Sequence, residues 1–248
     1  MAENARILVK ANGFSSIIEV IQSTVEEATL PEKVDTIISE PIGTFLLNER
    51  MIETFVIARD KFLKPGGRMF PTRANLHIVP FCDPAIWDEQ LYKAEFWKQT
   101  NFYGVDLTCL LQKAEKEKLQ QPLIDTIKSH QCLSVDPPKV SFNFETCKVA
   151  DLTKVDWDFE HTMTKTSLLH GYCLYFDAFF DGTDKVFVLE TGPDRPVTHW
   201  YQTRLLLPEP LGVNRTQVVR GNLKLIANQE QSFDASVVID LSEIKVKR

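Results

Sequence analysis

The sequence predicts an α/β segment over residues 1–70 followed, over 71–248, by a mostly β region with a helical arm inserted at 85–130. Three observations carry this. Helix-like and strand-like apolar patterns alternate as far as Lys64-Pro65-Gly66-Gly67. Beyond residue 168, strand-like runs are separated by turn signals such as Asp181-Gly182 and Pro208-Glu209-Pro210. Between 85 and 130 lies a stretch too long for a hairpin connection and too apolar for a free loop.

Taken in order, residues 2–12 read as a helix stopped at Gly13, Ser16 to Ile21 as a short strand, and Val34 to Glu40 as a buried strand. From Asn48 onward Met51, Phe55, Ala58 and Phe62, flanked by Ile52, Val56 and Leu63, recur at helical spacing until the Lys-Pro-Gly-Gly break. After Phe70-Pro71-Thr72 the texture changes, with strands expected at 75–81 and 139–148, the latter alternating Val140, Phe142 and Phe144 with polar residues. The arm carries Trp87, Phe96, Trp97, Phe102 and Tyr103 around a charge-rich helical stretch at 107–120. These aromatics would form an exposed apolar patch unless a partner covered them, so a dimer-competent arm is expected. Strand-like runs at 168–180, 185–190, 198–207, 216–227 and 232–241 fit a barrel or a sandwich. No internal repeat or low-complexity tract interrupts them.

At 248 residues the chain is long enough to bury about 70–75% of its unfolded surface. With 44% apolar and 25% charged residues it matches folded domains rather than disordered or fibrous ones. No apolar run approaches the roughly 20 residues of a membrane span, and Met1-Ala2-Glu3-Asn4 lacks the start of a signal peptide, which places the chain inside the cell. The net charge of −6 disfavours nucleic acid and acidic membranes and suits a basic substrate. The one basic cluster, Lys245 to Arg248, reads as a solvated tail. Cys82, Cys109, Cys132, Cys147 and Cys173 are odd in number and contain no C-x-x-C pair, so reduced, mostly buried thiols are expected. The sequon Asn214-Arg215-Thr216 is expected to go unused in that compartment.

The sequence contains no G-x-G, G-K-[ST], H-E-x-x-H or G-x-S-x-G, and its five scattered histidines build no metal site. The informative segment runs from Ser39-Glu40-Pro41 to Asn48-Glu49-Arg50-Met51, joining the carboxyl end of an apolar strand to an amphipathic helix. Open α/β sheets bind ligands at that edge. Pro41 and Gly43 oppose immediate helix formation, so the chain can loop and return Glu49 toward Glu40. Paired carboxylates require a proton or cation between them, and a planar guanidinium is the best-shaped cation. Spacing alone leaves open a solvated Glu40 with Glu49 placed at a helix N-terminus by the dipole. Thr198-His199-Trp200 sets an imidazole, able to orient or deprotonate a group, beside an indole able to pack on a cation, although a packed strand would look the same.

Ser39-Glu40-Pro41 through Asn48-Glu49-Arg50-Met51 resembles the double-Glu loop of the type I protein arginine methyltransferases, and Thr198-His199-Trp200 resembles their THW loop. The likeness is nearest to the coactivator-associated arginine methyltransferase branch. It extends through Met69-Phe70-Pro71-Thr72, Tyr103-Gly104-Val105-Asp106-Leu107 and Leu225-Ile226-Ala227-Asn228. The resemblance implies that 1–70 is the C-terminal half of a Rossmann-like S-adenosylmethionine domain, that 71–84 and 131–248 form a β-barrel, and that 85–130 is the dimerisation arm of a homodimer. It implies catalytic roles for Glu40, Glu49 and His199, substrate binding by Asn48 and Trp200, and cofactor contacts from Val25, Glu26, Met51 and Thr54.

The implied reaction is methyl transfer from S-adenosylmethionine to an arginine side chain, with asymmetric dimethylation of histones or other nuclear and RNA-binding proteins, in the nucleus or cytoplasm. Departures accompany the likeness. Ile42 and Thr44 stand where the family commonly has Met and an aromatic residue. The family's substrate-gating tyrosine helix and its glycine-rich cofactor loop with a ribose-binding acid precede the segment where this chain begins. An N-terminally truncated chain, inactive alone, is therefore expected. The rival expectation is a noncatalytic dimerisation module, and a small-molecule methyltransferase is a weaker third.

Overall fold

The computed structural model describes residues 1–240, so the Lys245 to Arg248 cluster lies outside the described residues. Helix α1 (Ala2–Ala11) ends at Asn12, with Gly13 in the left-handed region at φ 75, as the glycine predicted. It buries no residue. The strand expected from Ser16 to Ile21 does not form. That stretch is turn and irregular chain, with Ile17 78% exposed. A strand requires a neighbouring ladder, and among the described residues β1 (Val34–Ile38) has one partner, the parallel β2 (Leu63–Phe70).

Between those strands α2 (Met51–Phe62) buries Ile52, Phe55, Val56 and Ala58, the stripe read from the sequence. Its α-helical turns begin at Met51 rather than Asn48 because Glu49 and Arg50 take left-handed backbone at φ 68 and 55. The Lys64-Pro65-Gly66-Gly67 break is a bulge inside β2: pairing passes from Val34↔Leu63 to Thr36↔Arg68, leaving those four residues out of the ladder.

The arm follows β3 (Arg73–Phe81). It comprises α3 (Pro84–Tyr92), α4 (Leu111–Gln120) and a short return strand β4 (Leu123–Asp125). Asp83 caps α3 by accepting the Ile86 N–H at 3.3 Å and also receives Arg204 Nη1 at 2.6 Å and Gln131 Nε2 at 2.7 Å. Arg204, 2% exposed, further donates to the Thr126 carbonyl. This buried network fixes the arm's root to the sheet, and Trp87 adds a bond to the Leu207 carbonyl at 3.0 Å. Toward the tip, Phe96, Phe102 and Tyr103 form edge-on ring contacts while remaining 50%, 36% and 95% exposed.

The remaining strands are β5 (Lys139–Asn143), β6 (Lys154–Thr162, preceded by the short helix α5, Val149–Thr153), β7 (Ser167–Asp181), β8 (Val186–Glu190), β9 (Gln202–Val213), β10 (Val218–Ala227) and β11 (Phe233–Asp240). They form a six-stranded sheet in the order β4-β9-β7-β3-β5, with β8 also on β7, and a three-stranded sheet in the order β11-β10-β6. Alternate residues of both, including Leu76, Leu174 and Phe176 from one and Phe159 and Leu223 from the other, share a core with Ile52 and Phe55 of α2. Phe159 and Tyr172 meet across it at 5.0 Å.

Among the described residues no ladder joins these sheets, so the expected barrel is not closed by hydrogen bonds. Between Leu205–Pro208 and Phe233–Val237 lies a groove of about 460 Å³ instead. Here β9 leaves its own ladder between Leu206 and Leu211, and Pro208 and Pro210 have no N–H to donate.

Two strand limits differ from expectation. The run at 139–148 ends at Asn143, because the chain turns so that the Phe144 and Cys147 carbonyls both accept Arg59 Nη1 at 2.7 Å. The run at 198–207 begins only at Gln202, leaving Thr198 to Tyr201 as loop, and continues to Val213, so Pro208-Glu209-Pro210, expected as a turn, lies within the strand where it leaves its ladder. Strand β6 was not anticipated. Of the five thiols, Cys173 alone is buried, and Cys109 is exposed on the arm.

Candidate functional site

The segment after β1 makes a tight reversal. Gly43 and Leu46 exchange two backbone hydrogen bonds at 3.1 and 3.0 Å, and the Asn48 N–H donates to the Thr44 carbonyl at 3.2 Å. The return is so close that a Cβ on Gly43 would lie 1.8 Å from the Asn48 carbonyl oxygen. Glycine is required there for close approach. Phe45, Leu46, Glu49 and Arg50 all have positive φ, from 44 to 75. Such concentrations of non-glycine left-handed backbone persist only where surrounding contacts over-determine them, and they cluster at functional sites.

Two distant segments supply those contacts. Trp200 Nε1 donates to the Ile42 carbonyl at 3.0 Å, and its ring packs edge-on against Phe176. Thr198 Oγ1 receives the Trp200 N–H at 3.2 Å, and the His199 ring lies 3.7 Å from the indole. The β10–β11 turn holds the other end. Ser232 Oγ donates to Asn48 Oδ1 at 2.8 Å, Arg50 Nη1 donates to the Asn228 carbonyl at 2.8 Å, and Phe233 meets Phe45.

Beside the loop opens a cavity of about 330 Å³ lined by Val25, Ile37, Ile38, Ser39, Glu40, Pro41, Met51, Thr54, Phe55 and Ala58. Thr54 Oγ1 donates to Glu26 Oε1 at 3.3 Å, placing that carboxylate beside the cavity. Lys61 of α2 secures the approach by donating to the Glu26 and Ala28 carbonyls, both at 2.7 Å.

Val25, Glu40, Met51 and Thr54 therefore share one wall system, with Glu26 bonded to it. Asn48, Glu49, His199 and Trp200 do not line that cavity. Glu40, Glu49 and His199 are exposed. Glu40 Oε1 accepts the Ile42 N–H at 3.2 Å, whereas no hydrogen bond or ion pair among the described residues engages the Glu49 carboxylate. The adjacent cation is already neutralised: Arg50 donates to Glu53 through Nε at 2.6 Å and Nη2 at 2.9 Å, and that hydrogen bond raises the guanidinium's pKa. The site thus presents acidic groups without a competing resident cation.

Arg50 and Ser232 were not singled out from sequence. Their partners lie 178 and 184 residues away, a separation no local pattern reports. Among the described residues no cluster of ligating side chains could hold a metal ion, and no helix is long and apolar enough to cross a membrane.

Comparison with known proteins matches this architecture. The family model described as the arginine methyltransferase oligomerization subdomain covers residues 72–244. Histone-arginine methyltransferase CARMER of Drosophila ananassae is 45% identical over 241 residues, 97% of this chain and 45% of the relative. The Anopheles gambiae protein of that name is 44% identical over 97% of this chain and 38% of its own length. The chain thus spans less than half the length of these relatives. Among solved structures, the Trypanosoma brucei PRMT1 enzyme-prozyme complex with AdoHcy superposes with a TM-score of 0.85 at 34% identity, over 96% of this chain and 73% of that one. Arabidopsis thaliana protein arginine methyltransferase 10 gives 0.80 at 26%, over 96% of this chain and 79% of that one. A loop carrying Glu40 and Glu49, pinned by Trp200 and the β10–β11 turn and followed by a matched oligomerization subdomain, makes this chain a member of the type I protein arginine methyltransferase family.

Proposed function

We propose that the loop from Glu40 to Glu49 binds the guanidinium of a protein arginine for methyl transfer from S-adenosylmethionine. The carrying observation is electrostatic: Glu49 has no cationic partner among the described residues, while neighbouring Arg50 is engaged by Glu53. A free guanidinium is a poor nucleophile because its charge is delocalised. Glu40 and Glu49, paired to different nitrogens, would concentrate positive charge on one side and leave electron density on the attacking nitrogen. His199 would stabilise the pocket or receive the proton, Trp200 would wall the substrate channel, and Asn48 would help orient the substrate through its neighbour Glu49.

The residues beside the cavity fit part of the cofactor. An apolar slot with Met51 within it and the Thr54–Glu26 pair beside it suits an aromatic base and a sulfonium. Val25, Glu26, Met51 and Thr54 would hold these parts, and when bound the cofactor supplies an electrophilic methyl group. No G-x-G loop is present to let backbone approach it closely. Lacking two or three good hydrogen bonds at about 1.5–3 kcal/mol each, the 248-residue chain should bind it roughly three or more orders of magnitude more weakly than a complete site.

The substrate class proposed is an arginine of a histone or of another nuclear or RNA-binding protein, asymmetrically dimethylated, with the chain acting as a homodimer through 85–130 in the nucleus or cytoplasm. The relatives' names support a histone arginine, and the matched oligomerization subdomain supports the dimer. A noncatalytic dimerisation module is the second reading, favoured by the matched oligomerization subdomain and by the exposure of Ile7, Leu8, Ile17 and Ile38 on the α/β unit.

Calorimetry with an arginine-containing peptide tests the guanidinium site. Glu49→Gln should weaken binding roughly 10–150-fold through loss of one charged pair. Equal affinity of the wild type for the arginine peptide and a glutamine-substituted control would refute it.

A further inference from the structure

The neighbours of Glu49 on both sides are bonded to the same remote element. Asn48 Oδ1 receives Ser232 Oγ at 2.8 Å, and Arg50 Nη1 reaches the Asn228 carbonyl at 2.8 Å. The turn itself is internally braced, with the Asn228 side chain accepting the Glu230 and Ser232 N–H groups at 3.0 and 3.1 Å and its N–H donating to the Ser232 carbonyl at 2.9 Å. The remaining guanidinium nitrogens of Arg50 close on Glu53, one α-helical turn further on. Glu49 and Arg50 sit at φ 68 and 55, a conformation that side-chain-bearing residues keep only under outside constraint.

We propose that Arg50 is the positioning residue for Glu49. Its planar fork ties the first turn of α2 to the β10–β11 turn and holds the left-handed backbone from which the Glu49 carboxylate projects. The inference rests on the guanidinium reading above and deepens it, because it makes the second carboxylate's placement depend on the β region as well as on its own α/β unit. Arginine suits the task for two reasons. Its fixed donors bond Glu53 and the Asn228 carbonyl at once, which an ammonium on a flexible stem does not reproduce. Its charge is matched by Glu53, so it holds the loop without neutralising Glu49. Ser232 is the second half of the clamp.

Hydrogen exchange and peptide binding on the 248-residue chain test this together. Arg50→Lys and Ser232→Ala should each raise exchange of the Asn48 and Arg50 amides, which donate to the Thr44 and Leu47 carbonyls, by about tenfold, leaving the β3–β7 ladder unchanged. A structural defect alone would not alter chemical selectivity. Calorimetry therefore compares an arginine peptide with its lysine counterpart. Arg50→Lys should cut the preference for arginine at least about fivefold, because a misplaced Glu49 loses the fork geometry but still attracts a point charge. Unchanged loop protection in both variants overturns the clamp, as does unchanged selectivity in Arg50→Lys. If the wild type binds neither peptide, the guanidinium reading fails while the exchange result still decides the clamp.

Discussion

Substituting Gly43 with alanine probes the loop at its tightest point. The added Cβ would lie 1.8 Å from the Asn48 carbonyl oxygen and 2.5 Å from its carbon, both backbone atoms that cannot swing aside. A carbon–oxygen contact requires about 3.3 Å, so Gly43 and Asn48 must separate by roughly 1.5 Å. That movement opens the Gly43–Leu46 pair of bonds and strains the Trp200 bond to the adjacent Ile42 carbonyl. Overpacking of this kind costs about 1–3 kcal/mol, or roughly 2–12 °C in Tm at this chain length. Guanidinium binding should suffer more than stability, since a displacement of about 1 Å breaks the geometry that bidentate pairing requires. Gly212→Ala is the control: nothing lies within 4 Å of its added Cβ, and the effect should stay within about 0.5 kcal/mol. Differential scanning calorimetry and arginine-peptide titration of both variants provide the comparison. If Gly43→Ala matches Gly212→Ala in Tm and affinity, the close return of the loop is not what the site depends on.

At the arm's root, Asp83→Ala leaves the buried Arg204 guanidinium with only the half-exposed Asp125 at 3.4 Å and should cost about 3 kcal/mol, with exchange protection lost at Ile86, whose N–H Asp83 accepts; undiminished stability in denaturant titration would contradict this. Burial lowers the pKa of His161 to about 4, so between about 6.5 and 4 the unfolded chain binds more protons than the folded one and stability falls with falling pH. The whole contribution, on the order of 3 kcal/mol, is present above about 6.5, and His161→Leu should flatten that part of the stability–pH curve relative to wild type. At the arm's tip, Phe96→Asp with Phe102→Asp should convert a sedimenting dimer to monomer with unchanged far-ultraviolet dichroism, and a persistent dimer would place the interface elsewhere.

Legibility in the sequence follows the range of the interaction concerned. The stripe of α2 was readable because Ile52, Phe55, Val56 and Ala58 repeat within one element. The loop after Glu40 was readable because Pro41 and Gly43 act on their immediate neighbours. Strand β6 was equally local and should have been found: Val155, Trp157, Phe159 and His161 alternate with Asp156, Asp158 and Glu160 at period two. Those polar positions are all acidic, and acidic residues are depleted in strands. Ser16 to Ile21 failed for the opposite reason. It has strand composition, but the ladder that would turn composition into structure is not supplied by any described residue. The order of the strands is likewise not local: a barrel and a sandwich share the same strand runs and turn signals and differ in which strands are the partners of β9 and β11.

The candidate site divides along the same line. Val25, Glu40, Met51 and Thr54 lie on the α/β unit and share its cavity, so the strand-end rule for ligand binding located them without knowledge of the β region. Glu49 belongs to that unit by sequence, yet the contacts on either side of it come from Asn228 and Ser232. Its left-handed backbone carries a cost of order 1–3 kcal/mol. The Arg50–Glu53 pair within the α/β unit offsets part of it, and the bonds from Asn228 and Ser232 add a share from the β region. Loosening the β10–β11 turn should therefore impair the second carboxylate while leaving the cavity residues in place, although none of the turn's residues contacts that cavity.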